Sequence, residues 1–100
     1  MECDVVAVDC EGVSLGESGG QLCLIQVAGT AGVWLFDVQQ CPDMLLHVDS
    51  LLRPLLESKT VVKAIFDCAH DVIAILECAR FEVRNVMDVQ LLYSTLERTA

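Results

Sequence analysis

The run Val5–Val8 constrains the fold most strongly, because it is apolar at every position and leads directly into Asp9-Cys10-Glu11. A strand without polar alternation is typical of the interior of a sheet. We therefore expect a central strand over residues 5–11. Hydrophobic residues make up 54% of the chain, above the roughly 45–50% of soluble domains, a figure that also counts glycine. This excess fits a sheet covered on both faces, or a piece of a larger domain whose covering elements lie elsewhere.

Turn residues divide the first half of the chain into short elements. The Gly- and Ser-rich stretch 12–20 predicts a loop, and Gly29–Gly32 predicts a tight turn between strands at 22–28 and 33–38. Such short connections favour an antiparallel meander. Leucines recur at helical spacing between Pro42 and Ser58, but Pro54 is compatible only with a first helical turn. We therefore expect two short helices there, the second capped by Ser50.

The second half alternates strands and helices. We expect a strand over 61–66, parallel to one neighbour because it follows a helical crossover. Asp67 is predicted to cap a helix over 69–79, and Asp88 a last helix that follows a strand over 85–87. The resulting order, βββ-α-β-α-β-α, indicates one α/β domain with a mixed sheet.

Composition excludes some functional classes. No apolar run approaches the roughly 20 residues of a membrane span, so we expect no membrane association. The acidic start Met1–Asp4 lacks the basic region of a signal peptide, so we expect an intracellular protein of the cytoplasm or nucleus. A net charge of −9 argues against nucleic-acid binding by simple phosphate neutralisation. It is compatible with an enzyme whose acids recruit divalent cations that then meet a phosphate.

Asp9 and Glu11 are the clearest candidates for chemistry. Residues i and i+2 of a strand share a face and stand about 6.6 Å apart along it, so two carboxylates at this spacing can converge on one divalent ion and share a second. Paired metal ions of this kind activate a water and stabilise a leaving oxygen. The alternative is that the strand simply emerges into solvent at this point.

Asp71 is the third candidate, just inside the helix that follows the fourth predicted strand. If that strand lies beside the first, Asp71 approaches the same sheet edge and adds a ligand. The alternative is an acid that complements the helix dipole, as also holds for Asp67. Gln26 interrupts a strongly apolar strand, so we expect it to be buried and to orient either the site or the loop after Glu11. Lys63 either neutralises a carboxylate or points outward, and the sequence leaves this open.

Five blocks occur in a characteristic order along the chain: Val6–Val13, Gly20–Ala28, Val33–Val38, Lys63–Asp71 and Asn85–Gln90. Together they resemble the opening of the DEDD superfamily of 3′–5′ exonucleases. They are most similar to the ribonuclease D and Werner-type branch. The D-C-E-G and D-C-x-x-D motifs are also similar to those of Egalitarian-like exonuclease-domain proteins. The resemblance covers roughly Val5–Leu92.

The resemblance implies a ribonuclease H-like α/β fold, a mixed sheet of order 3-2-1-4-5 with flanking helices. It implies two Mg²⁺ or Mn²⁺ ions and release of 5′-nucleotides from a nucleic-acid 3′ end. In that family pattern Asp9 and Glu11 hold the nucleophile-side metal and Asp9 bridges to the second. Asp71 helps to position the metals and their water, while the backbone around Gly12 and Val13 approaches the terminal nucleotide.

The chain departs from the family pattern in its third motif. Tyr- or His-x-x-x-Asp lies beyond the D-T-Q-like segment in the family and is absent from residues 1–100. Phe66 stands where relatives often carry His, and Val89 where they carry Thr. We therefore expect a partial, C-terminally incomplete exonuclease domain over 1–100. By itself it should be nearly inactive, because the fourth carboxylate and the general base are missing.

Two functions follow from the resemblance. The first is a two-metal 3′–5′ exonuclease acting on RNA or single-stranded DNA 3′ ends, with RNA favoured. The alternative is a non-catalytic nucleic-acid-binding or adaptor protein that keeps the fold, with a protein partner as a further expectation. A haloacid dehalogenase-type phosphatase fits less well, because that chemistry needs a second Asp where Glu11 stands.

The cysteines generate a direct test. Most of the six lie within apolar runs, where Cys behaves as a small hydrophobe, and no C-x-x-C pair is present. We predict that all six are free thiols. Titration under denaturing, non-reducing conditions should therefore find six reactive groups per chain. Finding two or fewer would contradict this and indicate disulfides.

Overall fold

The computed structural model describes residues 5–47 and 50–99. Five strands form one mixed sheet of order 3-2-1-4-5, as predicted. Numbered along the chain, they are β1 (Val5–Val13), β2 (Gln21–Gly29), β3 (Gly32–Asp37), β4 (Val62–Ile65) and β5 (Val86–Asp88). The pairs β1–β2 and β2–β3 are antiparallel, whereas β1–β4 and β4–β5 are parallel. The predicted meander and the predicted parallel strand are both confirmed.

Four helices follow the predicted order in the described ranges. They are α1 (Asp43–Leu46), α2 (Leu52–Glu57), α3 (Cys68–Ala79) and α4 (Val89–Thr99). The prediction of two short helices before β4 is confirmed, and Pro54 is the third residue of α2, where the first turn tolerates it. Ser50 lies one residue before the N-cap position, yet its Oγ accepts the Arg53 N–H at 3.3 Å. It therefore satisfies one of the free donors of that helix end.

The sheet is covered mainly on one face. Alternate residues of β1 are buried, and they share a core with apolar side chains of α1, α2 and α3. The opposite face of β1, with Ala7, Asp9 and Glu11, is exposed, and Leu35 on β3 is 66% exposed on that same face. The central position of β1 is confirmed, but cover on both of its faces is not found in residues 5–47 and 50–99. The core cluster comprises Val6, Val8, Cys10, Ile25, Val27, Leu45, Leu52, Leu56, Ile75 and Ala79, among others.

Asp67 does not cap α3 with its side chain, so that prediction is wrong. It occupies the N-cap position in a left-handed conformation, with φ of 54°, and its carboxylate makes no capping bond. The Asp88 carboxylate accepts the N–H groups of Asp67 and Cys68 instead. The prediction that Asp88 caps α4 is confirmed, since it also accepts the Gln90 N–H at 3.0 Å.

Lys63 follows neither of the two alternatives that the sequence left open. Its side chain is fully buried on the same face of the sheet as Val6. The Nζ donates to the carbonyl oxygens of Ser58 at 2.6 Å and Val61 at 2.7 Å. Burial lowers the pKa of this ammonium. Lys63 therefore supports the turn that leads into β4 rather than the acids of β1.

Five of the six cysteines lie in the described residues, and all five are free. Cys3 lies outside the described residues. Within the described ranges, no helix is long and apolar enough to cross a membrane.

A break in the β1–β2 register makes the end of β1 sensitive to substitution. The register shifts between Glu11 and Gly12, and a Cβ on Gly12 would overlap the backbone oxygen of Gln21. We predict that Gly12→Ala lowers the free energy of unfolding by about 3 kcal/mol, because a backbone atom must move to admit the methyl group.

Gly19→Ala is the matched control for this substitution. Gly19 has a φ of +78°, but nothing lies within 4 Å of an added Cβ. Its substitution should therefore cost only the conformational strain, about 1 kcal/mol. Urea denaturation of both variants measures the difference, and equal losses would show that the Gly12 contact relaxes without cost.

Candidate active site at the end of strand β1

Strand β1 extends past its parallel neighbour. It pairs with β4 only from Val5 to Ala7, and β4 ends at Ile65. On that side, residues 9–13 of β1 therefore have no strand beside them. The gap lies next to the start of α3, which follows β4 after a two-residue connection. This arrangement brings the acidic end of β1 and the first turn of α3 to the same edge of the sheet.

Asp9 and Glu11 form a carboxylate pair on the open face. Both side chains are exposed on this face of the sheet, and Asp9 lies opposite Gln26 on β2. The pKa of Glu11 is raised, first by a hydrogen bond with the Asp9 carboxyl, then by the Asp9 charge, and then by desolvation. Two carboxylates this close repel each other unless a proton or a cation lies between them. The pair is therefore suited to bind a cation.

Asp71 reaches the same place from the covered side of the sheet. Its side chain is buried, and its Oδ2 accepts the Cys10 N–H at 3.1 Å. Desolvation raises the pKa of Asp71, the Cys10 N–H lowers it, and the charge of Asp9 raises it, with a net increase. The Asp71 carboxylate therefore lies against the residue between Asp9 and Glu11. The structure therefore places Asp71 beside the β1 backbone that carries Asp9 and Glu11, and a site shared by the three acids stays a prediction.

Cys10 joins these acids, a role that its sequence context did not reveal. Its thiol is buried, and its pKa is raised by burial first and then by the charge of Asp71 and a hydrogen bond to it. The thiol is consequently protonated and is a donor to Asp71 rather than a nucleophile. Both the N–H and the S–H of Cys10 thus face one carboxylate. The spacing D-x-E identified the flanking acids but carried no signal for the residue between them.

Gly12 and Val13, the predicted substrate contacts, form the exposed tip of β1. The bulge after Glu11 changes the direction of the strand here, as bulges beside active sites often do. Val13 is 64% exposed. The loop that follows packs against the start of α3, since a Cβ on Gly16 would lie 2.9 Å from the His70 Cα. The tip of β1 and the first turn of α3 are therefore held close to each other.

Gln26 differs from its prediction. It is exposed, not buried, because it lies on the open face of β2 directly opposite Asp9. Burial was expected from the apolar residues that flank it, but these point to the covered face. Its amide is therefore beside the carboxylate pair and accessible from solvent.

The donor chemistry of the acids fits a hard divalent cation. Mg²⁺ and Mn²⁺ favour carboxylate oxygens, and Asp9 and Glu11 present such oxygens side by side. In residues 5–47 and 50–99 no group of three or more His, Cys, Asp or Glu side chains is arranged as a metal site. This is consistent with the Asp71 carboxylate being engaged by Cys10. The residues present therefore fit a metal held by the Asp9–Glu11 pair, and a shared role for Asp71 stays a prediction.

Solved structures with similar folds are nucleases. Trypanosoma brucei RNase D, solved with RNA U12, is 27% identical with a TM-score of 0.76, over 91% of this chain and 32% of that one. The EXD2 exonuclease domain is 27% identical with a TM-score of 0.69, over 95% and 49%. Brucella melitensis NrnC with bound Mg²⁺ is 20% identical with a TM-score of 0.78, over 98% and 47%, a likeness of fold alone.

The matches cover only part of each solved structure. The chain spans about a third to a half of the length of the structures it matches. No curated protein sequence matches it. A family model described as 3′–5′ exonuclease matches residues 1–99. With its sheet order and flanking helices, the chain therefore belongs to the 3′–5′ exonuclease family and has the ribonuclease H-like fold of its RNase D branch.

Proposed function

We propose that this chain forms the metal-binding part of an exonuclease domain that hydrolyses phosphodiester bonds at nucleic-acid 3′ ends by a two-metal mechanism. The observation that supports this most is the Asp71–Cys10 hydrogen bond of 3.1 Å. It ties Asp71, an acid of α3 that is distant in sequence, to the backbone between Asp9 and Glu11, which supports a site shared by the three acids.

Each acid has a distinct part in this proposal. Asp9 and Glu11 would hold Mg²⁺ or Mn²⁺ on the open face, Asp9 would also contribute to a second ion, and Asp71 would orient the assembly from the covered side. Bound divalent ions supply the positive charge that lowers the pKa of a water and offsets charge on the leaving oxygen. Asp71 is itself restrained by its hydrogen bonds with Cys10.

The exposed tip of β1 is the proposed contact for the terminal nucleotide. Gly12 and Val13 lie just beyond the acids, and Val13 offers an apolar surface to a base or sugar. The amide of Gln26, opposite Asp9, provides donors on the same open face. A chain with a net charge of −9 repels phosphates, so we expect substrate binding to depend on the divalent ions.

RNA is the proposed substrate ahead of single-stranded DNA. The T. brucei enzyme is an RNase D and was solved with RNA U12 and with GMP, and B. melitensis NrnC was solved with pGG.

The free thiols of the described residues agree with an intracellular location in cytoplasm or nucleus. A protein partner is part of the proposal as well, since the open sheet face leaves apolar residues exposed.

These 100 residues by themselves should have little or no exonuclease activity. They contain three candidate acids but no Tyr- or His-x-x-x-Asp segment, which is the source of the general base in this family pattern. Loss of a base or a ligand commonly costs orders of magnitude in rate, at about 1.4 kcal/mol of barrier for each factor of ten.

The test measures nucleotide release from a 3′-labelled oligoribonucleotide and its DNA counterpart in Mn²⁺. It compares the 100-residue chain with a longer product of the same gene that carries the third motif. We predict turnover by the longer product only, faster on RNA, and at least a 100-fold loss in Asp9→Asn. Asp43→Asn, which removes an exposed acid at the start of α1, is the matched control and should retain full activity.

Two results would contradict the proposal in different ways. Robust turnover by the 100-residue chain, abolished by Asp9→Asn, would show that the site is complete without the third motif. A folded longer product that binds the oligonucleotide without cleaving it would instead favour the non-catalytic adaptor.

A further inference from the structure

The Asp88 carboxylate gathers three backbone donors from two segments of the chain. Its Oδ1 accepts the N–H groups of Asp67 and Gln90, each at 3.0 Å, and its Oδ2 accepts the Cys68 N–H at 3.2 Å. Asp67 and Cys68 begin α3, whereas Gln90 lies in the first turn of α4. One side chain at the end of the edge strand β5 thus holds the starts of both helices.

The α3 end depends on Asp88 because its own cap residue does not serve it. The first N–H groups of a helix need partners from outside the helix, and the side chain of Asp67 makes no capping bond. Asp67 also has a φ of 54°, a conformation that non-glycine residues seldom adopt without stabilising contacts. The Asp88 bond to the Asp67 N–H is such a contact. Two of the free donors of this helix start, in a strained segment, are therefore held by a single carboxylate.

The charge of Asp88 agrees with this role. Burial raises the pKa of Asp88, but the hydrogen bonds from Cys68, Gln90 and Asp67 lower it by more, so that the net change is a decrease. The Cys68 thiol also donates to this carboxylate, and burial followed by that bond raises the pKa of Cys68. Asp88 is consequently ionised near neutral pH, when its bonds to backbone donors are strongest.

The first turn of α3 carries Asp71 only three residues beyond Cys68. At about 1.5 Å of rise per residue, the two are roughly one helical turn apart. A shift of the helix start therefore moves the Asp71 carboxylate by nearly the same distance. The bond from Cys10 to Asp71 is 3.1 Å long, close to the upper end of the ordinary range of about 2.7–3.2 Å, so a displacement of a few tenths of an ångström weakens it.

We propose that Asp88 is a positioning residue: from the end of β5 it fixes the start of α3 so that Asp71 reaches the Cys10 N–H beside Asp9 and Glu11. Its importance for metal binding rests on the proposed function. Its effect on the Asp71–Cys10 bond does not, and can be measured without metal or substrate.

Two substitutions separate this role from the capping of α4. Asp88→Ser keeps a good N-cap for α4, but a single hydroxyl cannot also span to Asp67 and Cys68. Asp88→Asn keeps one acceptor oxygen and places an amide NH₂, a donor, against a backbone N–H. The matched control is Asp37→Asn on the opposite edge strand, because the Asp37 Oδ1 also accepts a backbone N–H, that of Gln40 at 3.0 Å.

The decisive readout is amide hydrogen exchange resolved by residue. We expect the protection of the Cys10 amide to fall at least tenfold in Asp88→Ser and Asp88→Asn, with Ile25 and Val27 in the sheet ladder changed by less than twofold. Asp37→Asn should leave Cys10 unchanged. A Cys10 amide that stays protected in both Asp88 variants would overturn the proposal. A uniform loss of protection across Ile25, Val27 and Cys10 would also overturn it, since Asp88 would then support general stability only.

Mn²⁺ binding, followed by electron paramagnetic resonance, separates the positioning role from the proposed function. Under both proposals, the two Asp88 variants bind Mn²⁺ at least fivefold more weakly, while Asp37→Asn binds normally. Loss of Cys10 protection with unchanged Mn²⁺ affinity would uphold the positioning role of Asp88 and contradict the part given to Asp71 in the metal site.

Discussion

The hydrogen bond between the Cys10 N–H and the Asp71 carboxylate is the constraint on which the candidate site depends. A carboxylate buried away from water is costly unless donors satisfy it. Here the donor comes from the part of β1 that extends beyond β4. If Asp71 were absent, that N–H would be a buried donor without an acceptor, which costs about 1–3 kcal/mol. The bond therefore stabilises the fold and also holds Asp71 at the end of β1 that carries Asp9 and Glu11.

The contrast between the two faces of the sheet explains why acids can lie here at all. On the covered face, β1 contributes apolar side chains to a core with three helices. On the open face, Asp9 and Glu11 remain hydrated and can repel each other without destabilising the core. A cation would relieve this repulsion. In a chain of net charge −9 the same cation would make the open face acceptable to a phosphate.

Local patterns predicted the elements well because the determinants were local. The apolar run of β1, the glycines of the turns and the position of Pro54 each fix a strand, a turn or a helix start within a few residues. The sheet order came from resemblance, and the pairing confirms it. The face of the sheet on which Gln26 lies was misjudged, because alternation indicates two faces but not which one the helices cover.

Contacts between distant residues were out of reach of the sequence. Asp67 was expected to cap α3 because it directly precedes the helix, yet the acceptor is Asp88, about twenty residues away. The D-x-E spacing and Asp71 were found as separate signals, whereas the Cys10 backbone that links them depends on how far β1 extends past β4. Such bonds follow from the packing of β1, α3 and β5 and not from any one segment.

The most direct test of this account is paramagnetic broadening of backbone amide signals as Mn²⁺ is added to the chain. We expect the signals of Cys10, Gly12 and Val72 to broaden first and together, and Mg²⁺ to restore them by competition. Met44, beside the exposed Asp43, should remain sharp at the same Mn²⁺ concentration. Broadening that spreads evenly over the acidic surface, or that affects Cys10 and Gly12 but leaves Val72 sharp, would contradict a single site shared by β1 and α3.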